Sequence, residues 1–149
     1  MSLFETISEE IKKAMLAKDK IRLEALRGIK KELLEAKTAK GATGELTSET
    51  ELSILQKMVK QRNDSASIYS SQNRADLAES EIAQMNVIRE FLPAQLSLEE
   101  LEAAVKEIIS ATGATSLKEM GKVMSVASRQ LAGRAEGRAI SEMVKKILS

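Results

Sequence analysis

Residues 91 to 101 read Phe91-Leu92-Pro93-Ala94-Gln95-Leu96-Ser97-Leu98-Glu99-Glu100-Leu101, and they hold both the end of one helix and the start of another. Pro93 cannot donate a backbone amide and disfavours helical geometry in the residue before it, so the preceding helix should stop near Phe91 or Leu92. Ser97 and Glu100 stand at the spacing of a capping box, in which each side chain accepts from the other residue's backbone N–H. Leu96 and Leu101 occupy the two positions of a hydrophobic staple across the same start. A stop, a short linker and a capped start, at the only proline of the chain, predict an N-terminal helical domain over residues 1 to 93 and a smaller one over residues 94 to 149.

The same reasoning extends outward. Ser2 with Glu5, Ser48 with Glu51 and Ser116 with Glu119 repeat the Ser-x-x-Glu spacing, while Asp19 and Asn73 are caps for two further helices. A last helix is expected from about Glu136 to Leu148. Apolar residues recur at the three-and-four spacing of a buried helical face. Leu3, Ile7, Ile11 and Met15 form one stripe, Leu52, Leu55, Val59, Ala66 and Tyr69 a second, and Leu77, Met85, Ile88 and Leu92 a third. Beyond the linker come Leu101, Val105 and Ile108, then Leu117, Met120, Met124 and Leu131, then Ile140, Met143, Val144 and Ile147. Lys40-Gly41-Ala42-Thr43-Gly44 reads as a loop. The expected fold is all-α: a four-helix domain followed by a small three-helix domain.

Composition agrees, since aromatic residues make up 2% of the 149 positions and side chains that favour strands are scarce. The chain has neither Cys nor His, which excludes disulfides, zinc fingers, redox pairs and imidazole acid–base chemistry. No EF-hand, phosphate-binding loop, dinucleotide fingerprint or nucleophile elbow is present. The reading therefore assigns no catalytic residue, no metal ligand and no cofactor. The methionines on the apolar stripes read as core filler. The start, Met1-Ser2-Leu3-Phe4-Glu5, does not follow the pattern of a signal peptide, and no apolar run is long enough to span a bilayer. A cytoplasmic location and no membrane partner are expected.

Net charge is +1, but it is unevenly placed. Residues 1 to 40 carry ten Lys and Arg against seven acids, and residues 41 to 93 carry five against eight. Residues 94 to 116 carry one against four, and residues 117 to 149 carry seven against three. The basic final segment contains Gly133-Arg134-Ala135-Glu136-Gly137-Arg138. Glycines permit a tight turn, the following helix start presents unpaired amides, and two arginines add charge, a combination suited to a phosphate. A plain C-cap turn with solvated arginines is the alternative at this point. No aromatic stands nearby to stack on bases, so recognition would be of backbone or shape. A second polar cluster holds Lys60, Arg62 and Asp64, followed by Arg74 and Asp76, and reads either as a binding surface or as a solvated face.

Several motifs together resemble a known family. They are Lys60-Gln61-Arg62-Asn63-Asp64-Ser65, Tyr69, Arg74-Ala75-Asp76-Leu77, Phe91-Leu92-Pro93-Ala94-Gln95-Leu96-Ser97, Met120-Gly121-Lys122-Val123-Met124 and the Gly133 to Arg138 turn. In order and spacing the chain is similar to the GatB/YqeY family from about Leu3 to Leu148. The resemblance implies a stand-alone YqeY-like protein whose C-terminal part is like the tail of the tRNA-dependent amidotransferase B subunit, which helps to hold tRNA. The catalytic part of that subunit has no counterpart here, so glutamine-dependent carbon–nitrogen ligase activity is the least favoured expectation. The chain departs from the family pattern at Glu136, where Asp is common, at Phe91, where Tyr is usual, and at Gln84, a commonly acidic site. Carried over residue by residue, RNA or anion binding falls on Lys122, Arg129, Gly133, Arg134, Gly137 and Arg138. The expected partner is tRNA or another structured RNA, not DNA; the alternative is an adaptor that docks on an amidotransferase or a synthetase.

Overall fold

The computed structural model describes residues 2 to 39, 41 and 44 to 149. Lys40, Ala42 and Thr43 of the expected loop lie outside the described residues. Among the described residues there are seven α-helices, one short 3-10 turn and no strand. Two compact units are formed, one ending at Leu92 and the other beginning at Pro93. The first contains α1 (Leu3–Ala17), α2 (Lys20–Thr38), α3 (Ser48–Ser71) and α4 (Ala75–Arg89). The second contains α5 (Leu98–Thr112), the 3-10 turn Leu117–Glu119, α6 (Met120–Gln130) and α7 (Gly137–Leu148).

Three of the expected caps form. Ser2 and Glu5 make a reciprocal capping box at α1, and Ser97 and Glu100 make one at α5, where Ser97 Oγ accepts from the Glu100 amide at 3.1 Å and Glu100 Oε1 accepts from the Ser97 amide at 3.0 Å. Asp19 Oδ1 accepts from the Arg22 amide at 3.1 Å and starts α2. Three others differ. Thr47, one residue before Ser48, caps α3 by accepting from the Thr50 amide, so Ser48 is already helical. Asn73 takes a left-handed conformation at φ 59°, which a short amide side chain tolerates, and closes the α3–α4 turn instead of capping α4. Ser116 makes no side-chain cap; Glu119 accepts from the Thr115 hydroxyl, and a 3-10 turn precedes α6. α4 ends at Arg89, earlier than expected, because the amides of Glu90, Phe91 and Leu92 bond three residues back, tightening the chain into Pro93.

In the first unit α2 packs against α1, α3 and α4, and α3 and α4 form a long hairpin. The core combines Ile7 of α1, Leu26, Ile29 and Leu33 of α2, Leu55 and Met58 of α3, and Met85 and Ile88 of α4. Burying each such side chain contributes about 1.5 to 3 kcal/mol. In the second unit α5, α6 and α7 pack mutually around Leu101, Val105, Val123, Ala127, Leu131, Ile140 and Val144. Two stripe positions stay outside: Met15 is 54% exposed and Leu117 is 44% exposed. Met15 lies near the end of α1 and Leu117 opens the 3-10 turn.

Polar side chains also bridge the helices of the first unit. Arg22 of α2 reaches Glu10 of α1 at 3.2 Å and Glu90, just past α4, at 2.8 Å. Arg62 Nε donates to Gln84 Oε1 at 3.2 Å, and Gln84 Nε2 donates to Glu24 at 3.1 Å, so one amide joins α3, α4 and α2. Gly28 makes room for this, since a Cβ there would stand 3.3 Å from Arg62 Nη2.

Candidate functional site

The turn between α6 and α7 is built from the sequence outward. Leu131, buried, ends α6, and its carbonyl accepts from the Arg134 amide at 3.0 Å, which folds the chain back at once. Gly133 supplies the left-handed step at φ 77° that this reversal needs. Ala135 is buried in the unit's core, so the residues on either side of it, Arg134 and Glu136, point to solvent.

Two bonds from the linker hold the turn in place. Gln95 Nε2 donates to the Gly133 carbonyl at 2.6 Å, and the Leu96 amide donates to the Arg134 carbonyl at 2.9 Å. Leu96 packs on the same core as Leu131 and Ala135. The residues after Pro93 thus fix the backbone of the basic turn, a role that sequence reading missed because the partners stand 38 positions apart. Gln95 lay within the linker motif, but no local spacing pairs it with Gly133.

α7 starts with Glu136 as its N-cap residue, and that side chain makes no cap hydrogen bond. The first turn is therefore capped by no side chain of its own, and a Cβ at Gly137 would meet nothing within 4 Å. Uncapped amides, open space and the positive end of the helix dipole suit an anion. Arg138 is exposed but directed along its own helix, with Nε 3.1 Å from Glu142. Arg134 is exposed and makes no ion pair among the described residues, although its charge contributes to holding the Glu100 carboxyl below the usual carboxylate range. The main causes of that shift are the Ser97 backbone amide and the Ser97 hydroxyl.

Lys122 and Arg129 lie two turns apart on one exposed face of α6, as a seven-residue separation requires. Arg129 Nε donates to the Ser125 carbonyl at 3.1 Å, whereas Lys122 forms no ion pair among the described residues. Gly133, Arg134, Gly137 and Arg138 come together in one turn.

The second cluster is not assembled into one surface. Arg62 is drawn into the helix interface by Gln84, while Arg74 and Asp76 pair locally at 3.4 Å. Arg74 is the largest cause lowering the Asp76 carboxyl, followed by the Leu77 amide. Lys60 and Asp64 are exposed on α3, one turn apart, with no ion pair among the described residues. Among the described residues no group of acids could hold a metal ion, and no helix is long and apolar enough to cross a membrane.

A family model described as Yqey-like protein matches residues 4 to 148. The chain belongs to this YqeY-like family. Three relatives carry the name "Altered inheritance of mitochondria protein 41, mitochondrial". The one from Clavispora lusitaniae is 36% identical over 92 residues, covering 61% of this chain and 52% of the relative. The one from Kluyveromyces lactis is 27% identical, covering 93% and 72% respectively. The one from Pyrenophora tritici-repentis is 28% identical, covering 95% and 78%. These names correct the expected cytoplasmic location, because the relatives are named as mitochondrial proteins and point away from it. Lack of thiols and of a bilayer-spanning run describes redox chemistry and hydropathy, and neither property distinguishes one aqueous compartment from another.

Proposed function

We propose that this YqeY-like chain is a non-catalytic protein that associates with tRNA or another structured RNA through the turn from Gly133 to Arg138, flanked by Lys122 and Arg129. The observation that carries the reading is the joint placement of Arg134 and the uncapped first turn of α7 on a backbone pinned by Gln95. A pinned turn loses little freedom when an anion binds, so its charge is used efficiently. With no aromatic in the turn, contacts would fall on phosphates and on the shape of the RNA, and binding would be strongly salt-dependent. The relation to the amidotransferase tail is part of this reading, and so is a division of labour between two separately folding domains, residues 1 to 93 and 94 to 149.

The adaptor reading, in which the chain docks on an amidotransferase or synthetase, has less support from the first unit. Arg62, part of the second polar cluster on which such docking would draw, is engaged by Gln84 inside the helix interface. Ligase chemistry would need converging groups. Among the described residues the side chains with displaced pKa values, Glu10, Arg22, Asp76 and Glu100, each owe the displacement to an ion pair or a helix cap.

Photocrosslinking of labelled tRNA to the full chain, followed by mapping of the attached peptides, tests the proposal. Crosslinks concentrated in residues 117 to 149 are expected. Crosslinks confined to residues 1 to 93, or none at all, would contradict it.

A further inference from the structure

Leu16 and Leu98 are the most exposed large apolar side chains among the described residues, at 87% and 75%. Their surroundings carry opposite charge. Leu16 lies in the last turn of α1 with Lys12 and Lys13 one turn before it, Lys18 as the left-handed C-cap and Lys20 opening α2. Lys13 is paired with Glu10 at 3.2 Å, but Lys12, Lys18 and Lys20 make no ion pair among the described residues. The carboxylate of Asp19 is turned to the Arg22 amide. At this corner Ala14, Met15, Lys18, Asp19, Lys20 and Leu23 line a mainly apolar concavity of about 330 Å³.

Leu98 begins α5, next to Glu99 and one turn before Glu102. Glu99 makes no ion pair among the described residues, Glu100 is held in the capping box, and Glu102 pairs only with the exposed Lys106 at 3.1 Å. The first unit therefore offers an apolar hollow rimmed by lysines, and the second offers an exposed leucine rimmed by glutamates. Apolar groups left in water at this level of exposure are candidates for contact, and charge complementarity decides which surfaces meet.

We propose that the α1–α2 corner seats the first turn of α5 from a second copy of this chain, with Leu98 entering the hollow beside Met15 and Leu23 and Glu99 and Glu102 facing Lys18 and Lys20. The two halves of the contact lie on different units, so the second unit of one copy meets the first unit of the other. The contact is small, so association falls in the weak class. None of these residues belongs to the Gly133 to Arg138 turn, so the inference stands apart from RNA binding.

Sedimentation of the full chain from micromolar to millimolar concentration tests it. The average mass should rise with concentration toward twice that of one chain. Lys18→Glu with Lys20→Glu should weaken pairing roughly tenfold or more, and Glu99→Lys with Glu102→Lys should do the same, because each creates like charges across the contact. Mixing the two reversed variants restores opposite charges across the contact and should restore the pair. Helical circular dichroism confirms that each variant is folded. A single-chain mass at every concentration, pairing unchanged by the reversals, or no recovery on mixing would overturn the proposal, including in favour of an unrelated partner.

Discussion

Gln95 Nε2 donates to the carbonyl of Gly133 at 2.6 Å, tying the residues that follow Pro93 to the turn that carries Arg134. Gly133 is buried, so its carbonyl depends on that donor in place of water. Gln95→Ala should cost about 1 to 2 kcal/mol, from the lost bond and the stranded acceptor. Gly133→Ala should cost about 1 kcal/mol through its left-handed φ of 77°. Chemical denaturation measures both, and a cost near zero for Gln95→Ala would show that the turn holds itself.

Arg22 joins α1 to the end of α4 through Glu10 and Glu90, with its side chain a quarter exposed. Solvent screens such pairs, so Arg22→Ala should cost about 1 kcal/mol, part of it from lost packing of the stem. A double-mutant cycle with Glu90→Gln should give a coupling of about 0.5 kcal/mol at low salt that shrinks as salt is added.

Gly28 stands in the interior of α2, where alanine is the better helix former by about 1 kcal/mol. An added Cβ would lie 3.3 Å from Arg62 Nη2 and 3.5 Å from Met58 Cε, both flexible ends able to move. Gly28→Ala should therefore be neutral to slightly stabilising, by up to about 0.5 kcal/mol, while Gly28→Val should destabilise by about 1 to 3 kcal/mol through overpacking. Thermal melts of the two variants decide the matter; equal losses in both would mean that the helix spacing tolerates no Cβ at all.

The capping box of α5 sets a pH dependence. The Glu100 carboxyl is lowered chiefly by the Ser97 amide, and Glu10 is lowered first by Lys13 and then by Arg22. Both groups hold protons less tightly in the folded chain than in the unfolded one. Their stabilisation is complete above the ordinary glutamate value of about 4.3 and is lost as pH falls through the lowered folded values. Glu100→Gln, which keeps an acceptor but carries no charge, should flatten the acid side of the stability profile below about pH 4.3. Denaturation midpoints taken across that range check the sign.

Much of the fold was legible because its signals are local. Ser2 with Glu5, Ser97 with Glu100 and Asp19 act over three residues and formed as their spacing required. Where two residues compete for one local role, spacing alone misleads: Thr47 displaced Ser48, and Asn73 closed a turn instead of opening a helix. Met15 and Leu117 show the limit of periodicity, which marks a face as apolar without knowing whether a neighbour reaches it. The basic turn itself was visible as glycines and arginines. The supports around it, Gln95 under Gly133 and Glu100 in the field of Arg134, depend on chain crossings that no short window contains.

The most direct measurement is a titration of labelled tRNA against the full chain and against Arg134→Glu with Arg138→Glu, repeated over a series of salt concentrations. Binding by the native chain should fall linearly in log–log form as salt rises, and the double reversal should weaken it at every salt and reduce the slope by about 2. Equal affinity and equal slope for the two proteins, or native binding that ignores salt, would contradict the assignment of the turn as the RNA-holding surface.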